Sequence, residues 1–112
     1  MFGPSTVDFQ LTVLQHLANH DDVPGRELRA HVETALNCRL GPGFYLRMAA
    51  MEDDGYVVSS IKTKIVNKME IEETRYTINR EIGPKRIDEI YELKERMGPG
   101  GSIDPLGGLL PG

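Results

Sequence analysis

The side chains best suited to metal chemistry are three histidines, two aspartates and the one cysteine of the chain. His16 and His20 stand four positions apart, a spacing that places two side chains on one face of a helix. Further donors follow along the chain at Asp21, Asp22, His31 and Cys38. Zinc takes such ligands, so a zinc site is conceivable. The alternative we favour is a pair of solvent-side histidines that complement the dipole at a helix C-terminus, and we predict no metal and no cofactor.

Other enzymatic signatures are weak. The sequence has no glycine-rich phosphate loop after a predicted strand, no nucleophile motif and no CxxC pair. Cys38, the single cysteine, excludes an intrachain disulfide and is typical of a reducing compartment. No apolar run approaches the roughly 18 to 20 residues of a membrane span, and no signal-peptide core opens the chain. We therefore expect a cytoplasmic protein that is not an enzyme and has no membrane partner.

The distribution of basic side chains favours phosphate binding. The formal net charge of the 112 residues is -4, which argues mildly against a nucleic-acid partner. Residues 56–86, however, hold seven Lys and Arg against four Asp and Glu. Cations there could neutralise DNA phosphates and give salt-sensitive affinity. In the alternative, these lysines protect an exposed strand edge from aggregation. The candidate phosphate contacts are Lys62, Lys64, Lys68 and Arg75.

Periodic apolar residues predict three helices in the first half of the chain. Ser5 or Thr6 can cap the first helix, whose apolar face is formed by Val7, Leu11, Leu14, Leu17 and Ala18. The second helix begins after Asp22 with Pro24 near its first turn, and its buried stripe consists of Leu28, Val32, Ala35 and Leu36. The stretch "GPGFYLRMAAMEDDGYV" predicts a third helix with Phe44, Met48 and Met51 on its buried face, ended by Gly55.

The second half predicts a hairpin and a last helix. "YVVSSIKTKIV" alternates and is rich in β-branched residues, and "IEETRYTIN" is the return strand after a turn at "NKME". Pro84 begins a helix whose stripe of Ile87, Ile90, Tyr91 and Met97 could form a dimer contact. Residues 98–112 are mostly glycine, proline and small apolar residues, and we predict a disordered tail.

This order of elements predicts an α+β fold, the winged helix-turn-helix. It comprises a three-helix bundle, a two-stranded β-hairpin wing and a C-terminal helix. The predicted domain covers residues 1–97, including that last helix.

Three motifs in this order resemble the PadR family of winged helix-turn-helix transcriptional regulators. "PGREL", residues 24 to 28, is similar to the family's opening of the second helix. "GPGFYLRMAAMEDDGYV" resembles its third helix, and "TRYTIN", residues 74 to 79, resembles its returning strand. The resemblance covers roughly residues 7 to 97 and implies a homodimeric DNA-binding repressor, sometimes released by a small ligand. Two departures are the acidic "MEIEET" before the return strand and a short last helix.

The third helix of a winged helix enters the major groove of DNA, where its outward side chains meet base edges. The outward positions here are Leu46, Ala49, Ala50 and Asp53. Leucine and alanine can touch thymine methyl groups, and polar contacts are predicted at Arg39, Tyr45 and Arg47. We predict a sequence-specific regulator of transcription, a homodimer on double-stranded DNA. The alternative is a protein-interaction module that docks a partner protein through Leu46, Ala49 and Ala50.

Overall fold

A computed structural model describes residues 4–97, and the predicted disordered tail at 98–112 lies outside the described residues. The described chain is an α+β structure of four helices and one three-stranded antiparallel sheet. In chain order the elements are α1 (Thr6–Asn19), β1 (Val23–Pro24), α2 (Gly25–Leu36), α3 (Gly43–Asp53), β2 (Val57–Val66), β3 (Met69–Ile78) and α4 (Gly83–Met97). The arrangement is consistent with a winged-helix-like fold.

Helix α1 begins as predicted but buries a different set of side chains. The Ser5 hydroxyl accepts a hydrogen bond from the backbone N–H of Asp8 at 3.1 Å, which caps the helix. Leu14 and Leu17 are buried, whereas Ala18 is exposed and the prediction for it was wrong. Phe9 packs edge-on against Phe44 with the ring centroids 5.9 Å apart. The helix turns its largest apolar side chains inward, because burying a phenyl ring stabilises more than burying a methyl group.

The start of α2 corrects the predicted two-stranded sheet. Val23 and Pro24 form a short strand antiparallel to β3, with Val23 opposite Tyr76 and Pro24 opposite Arg75. Pro24 then serves as the N-cap of α2. Proline is tolerated there because β1 is an edge strand and because a helix leaves its first N–H groups unpaired in any case. A two-residue strand is too short for a periodic pattern, so the sequence could not predict it.

Helices α2 and α3 complete the core. Leu28 and Val32 of α2 are buried and Leu36 packs against the core edge, but Ala35 is exposed, contrary to the prediction. The three predicted inward residues of α3 are all buried: Phe44, Met48 and Met51. Gly55, at φ 87°, ends α3, and the N–H of Tyr56 returns to the carbonyl of Met51 at 3.0 Å.

The β2–β3 hairpin extends far beyond the core. Its register runs from Val57 opposite Ile78 to Val66 opposite Met69. Asn67 and Lys68 form the two-residue turn, both with positive φ (52° and 64°), as a type I′ turn requires. Residues 60–72 are all exposed, so only the base of the hairpin joins the core. The longest dimension of the molecule is accordingly 64 Å.

Helix α4 packs on α1, which changes the predicted dimer stripe. Ile90 is fully buried within the chain and Ile87 packs against the core, so Ile90 offers no surface to a second molecule. Tyr91 remains half exposed, and its hydroxyl accepts a hydrogen bond from the Gln15 side chain. Met97 lies in the last turn of α4, and its side chain is outside the described part of the structure.

Candidate nucleic-acid interface

A partly buried hydrogen-bond network fixes the turn that joins α2 to α3. Asn37 ends α2 in the left-handed conformation, with φ 52°. A Glu33 carboxylate oxygen accepts hydrogen bonds from the backbone N–H groups of Leu40 at 2.8 Å and Gly41 at 3.3 Å. The Leu40 hydrogen bond is the main cause that lowers the pKa of Glu33, with help from that of Gly41. Glu33 therefore sets the path into α3 as an anion, a role that no sequence motif indicated.

The outward face of α3 is apolar and open to solvent. Leu46 is 75% exposed, and Ala49 and Ala50 are exposed beside it, as predicted. Tyr45 lies at the rim, with the guanidinium carbon of Arg29 at 6.0 Å from its ring centroid. Arg29 belongs to α2. Its place beside Tyr45, sixteen positions further along the chain, could not be predicted from local periodicity. The arrangement offers an apolar helix face with an aromatic and a cation at its edge.

Arg39 and Arg47 occupy different environments. Arg39 is exposed in the turn between α2 and α3, and its contact with DNA stays a prediction. Arg47 is half-buried, and its guanidinium carbon lies 5.3 Å from the ring centroid of Phe9 on α1. A cation held over a ring face gains electrostatic energy there. Arg47 is thus directed toward α1 from the flank of α3, and its role as a base contact stays a prediction.

Three of the four predicted phosphate contacts on the hairpin are already ion-paired. Lys62 Nζ lies 3.0 Å from an Asp22 carboxylate oxygen, and Lys64 Nζ lies 3.0 Å from one of Glu73. Arg75 pairs with both carboxylates and also donates to the backbone carbonyl of Asp22. The pKa values of Asp22 and Glu73 are lowered, in each case first by the hydrogen bond from the lysine. DNA phosphates would have to compete with these carboxylates.

The basic side chains without an ion pair lie in several parts of the fold. Within residues 4–97, five basic side chains make no ion pair: Arg29, Arg39, Arg47, Lys68 and Lys85. Lys68 stands in the tip turn, as predicted. The C-terminal end of α3 is instead acidic, with Glu52, Asp53 and Asp54. Arg29, Arg39 and Lys68 lie near the start of α3 or at the tip, whereas Arg47 packs over Phe9 and Lys85 lies in the first turn of α4.

The three histidines form a stack on α1 and α2. His16 lies between the rings of His20 and His31, with centroid separations of 4.3 and 4.0 Å. The pKa of His16 is lowered, first by burial and then by the charges of His31 and His20. No group of three His, Cys, Asp or Glu side chains in residues 4–97 is placed to hold a metal ion. The three histidine rings therefore contact one another by stacking. The four-residue spacing of His16 and His20 is compatible with stacking and with metal binding, so the sequence could not distinguish the two.

Comparisons with known proteins place the fold. No protein-family model matches the chain, and no curated protein does either. Among solved structures, a proposed transcriptional regulator from Thermoplasma acidophilum, TA0346, is similar with a TM-score of 0.63. The two sequences are 20% identical, and the match covers 80% of this chain and 83% of that one. None of the helices in the described part of this chain is long and apolar enough to cross a membrane.

Proposed function

We propose that this protein is a DNA-binding transcriptional regulator, a winged helix-turn-helix in which α3 enters the major groove. The observation that carries the proposal is the outward face of α3, which is left uncovered while the Glu33 network fixes the helix to α2. A helix presented on a rigid turn, with a hairpin beside it, matches the docking geometry of this class. The likeness in fold to a proposed transcriptional regulator supports the same function.

The PadR-like assignment belongs to this proposal. The three motifs that resemble the family meet at one point, where Gly25, Tyr45 and Tyr76 pack together. A Cβ at Gly25 would lie 3.1 Å from Tyr76 Cε2 and 3.2 Å from Tyr45 Cε1. These distances are shorter than most Cβ contacts in proteins, so the glycine eases this close approach of α2, α3 and β3. This contact between the three segments supports the PadR-like assignment as a proposal.

The proposed DNA contacts are of two kinds, apolar contacts to bases and ionic contacts to phosphates. Leu46 and Ala50 would pack against thymine methyl groups, and Tyr45 would contact the groove edge. Arg29, Arg39 and Lys68 would bind phosphates, since none of them is engaged by a carboxylate in residues 4–97. Lys62, Lys64 and Arg75 would contribute less, because each already has an acidic partner.

The regulator is proposed to act as a homodimeric repressor in the cytoplasm, without a cofactor and without enzymatic activity. A two-fold dimer would bind an inverted repeat whose half-sites lie a whole number of helical turns apart. Specificity would be modest, because the base contacts available to Leu46 and Ala50 are apolar.

The test is binding of labelled duplex DNA, chosen from a random library, followed by fluorescence anisotropy over a salt series. Leu46→Glu should weaken binding by about tenfold or more, since a carboxylate would replace apolar contact beside the phosphates. Ala18→Glu is the matched control, because Ala18 is an exposed alanine in the last turn of α1 and not part of α3. Equal affinity of Leu46→Glu and wild type would contradict the proposal.

A second candidate function is favoured by one observation, the apolar character of the α3 surface. Leu46, Ala49 and Ala50 are exposed together, and Asp53 adds negative charge. These features suit a partner protein better than a phosphate backbone. If no duplex is selected from the library while Leu46→Glu abolishes capture of a protein, the interaction-module hypothesis replaces the regulator.

A further inference from the structure

The outer edge of β2 carries a row of unpaired backbone groups. Strand β3 is the middle strand of the sheet, so β2 has one strand neighbour in the described chain. The carbonyl of Tyr56 accepts from the N–H of Asn79 at 2.9 Å, so even-numbered residues of β2 face β3 and odd-numbered residues face outward. The N–H of Ser59 accordingly meets Glu52 of α3 at 3.3 Å. Past Ser59, the outward backbone groups of 61, 63 and 65 have no hydrogen-bond partner in residues 4–97.

The sequence of this open edge reads the same in both directions. Ile61, Lys62, Thr63, Lys64 and Ile65 form a palindrome centred on Thr63. We propose that two copies of this chain pair antiparallel along β2, related by a two-fold axis at Thr63. Each Ile61 then lies opposite Ile65 of the other copy, and the outward N–H and C=O groups of the odd-numbered residues meet. The two hairpins become one four-stranded sheet. The proposal does not depend on DNA binding.

Apolar contact accompanies these hydrogen bonds. Ile61 and Ile65 are 65% and 68% exposed in the single chain, and they share one face of β2. Side chains directly opposite each other on one face of an antiparallel pair contact one another, so each Ile61–Ile65 pair removes apolar surface from water. A two-stranded hairpin standing alone in water is marginally stable, whereas a wider sheet with an apolar face is stable. Residues 60–72 make such an isolated ribbon, which gives the second copy a physical role.

Lysines on an edge strand ordinarily prevent this kind of pairing. In the proposed register Lys62 faces Lys64 of the other copy, and like charges directly opposite are unfavourable. Here each lysine lies 3.0 Å from a carboxylate, Asp22 for Lys62 and Glu73 for Lys64, although Arg75 shares both carboxylates. These ion pairs offset the repulsion, so the edge keeps its lysines without being blocked by them.

The register also separates the two folded bodies. Ser60 lies opposite Val66 of the other copy, so the overlap is confined to the exposed end of each hairpin. The helices α1 to α4 of the two copies then sit at opposite ends of the joined sheet. Such a dimer makes no use of the predicted stripe on α4.

Cysteine cross-linking tests the two-fold axis. In a Cys38→Ser background, Thr63→Cys should form a disulfide-linked dimer under mild oxidation, since facing residues at the axis lie about 5.5 Å apart between Cα atoms. Ser60→Cys is the control, because its two copies would be about 20 Å apart in this register. Cross-linking of Ser60→Cys as readily as Thr63→Cys, or of neither, would overturn the register.

Sedimentation tests the interface itself. Wild-type chain at about 100 µM should sediment as a dimer, and Tyr91→Glu should remain one. Thr63→Pro should be monomeric, because it removes an N–H that points outward from β2. The substitution removes no hydrogen bond to β3, so the circular dichroism spectrum of this variant should match that of wild type. A monomeric wild type, or a folded Thr63→Pro that dimerises as wild type does, would refute the proposal. Loss of the dimer in Tyr91→Glu would also refute the proposal.

Discussion

His16 is the residue whose charge state is most directly tied to helix packing. Its ring is enclosed by His20 on α1 and His31 on α2, and Glu27 of α2 partly offsets the effect of those two rings. The lowered pKa means that the folded state favours the neutral ring, whereas the unfolded chain takes up a proton near the ordinary value of 6.5. The stack therefore stabilises the fold above that pH and loses its contribution as the pH falls below it.

This linkage predicts an acid-sensitive stability that depends on His16. The free energy of unfolding of wild type should decline as the pH falls from 6.5 toward the lowered pKa of the folded state. His16→Gln should flatten that decline, because the glutamine does not titrate. Urea denaturation at a series of pH values measures both slopes, with pH 8 as the reference at which the ring is neutral in both states. Identical slopes for the two proteins would contradict the account.

The junction of β3 and α4 depends on a glycine that permits close contact between elements. A Cβ at Gly83, the first residue of α4, would lie 2.3 Å from Cγ1 and 2.6 Å from Cδ1 of Ile78. Ile78 is buried, so it has little room to move. Gly43 also begins a helix, and a Cβ there would meet nothing within 4 Å.

These two glycines form a matched pair for a stability experiment. Gly83→Ala should destabilise the protein by about 1–3 kcal/mol, because it forces a methyl group into the packed Ile78 side chain. Gly43→Ala should be neutral or stabilising by up to about 1 kcal/mol, because it reduces the entropy of the unfolded chain. Denaturation midpoints of the two variants and wild type measure the difference. Equal shifts for the two alanines would show that the Gly83 contact does not matter.

At the level of elements, local sequence patterns predicted the helices and the hairpin. Contacts between residues far apart in the sequence could not be predicted from such patterns. Phe44, Met48 and Met51 were predicted correctly because their spacing alone defines one face of α3. The ion pair between Asp22 and Lys62 joins residues forty positions apart, and no periodicity encodes such a meeting. For the same reason Lys62 and Lys64 were predicted as phosphate contacts when carboxylates already engage them. Ile90 was assigned to a dimer because a helical stripe does not tell which neighbour covers it.

At the level of the whole molecule, charge is unevenly distributed. The chain is acidic in total, with a net charge of -4, yet three of its five unpaired cations in residues 4–97, Arg29, Arg39 and Lys68, lie near the start of α3 or at the hairpin tip. The acidic groups Asp53 and Asp54 stand at the other end of α3. A DNA duplex would therefore be attracted to one end of the helix and repelled from the other, which orients it.

The measurement that bears most directly on the central claim is a map of backbone amide shifts by NMR as duplex DNA is added. The account predicts that the largest changes fall on residues 43–53 of α3, on Arg39 in the preceding turn and on Lys68 at the hairpin tip. It predicts small changes along α1 and α4, and a response that weakens as salt is raised. Shifts confined to α1 or α4, or none on α3 at saturating DNA, would contradict the claim that α3 is the DNA-binding helix.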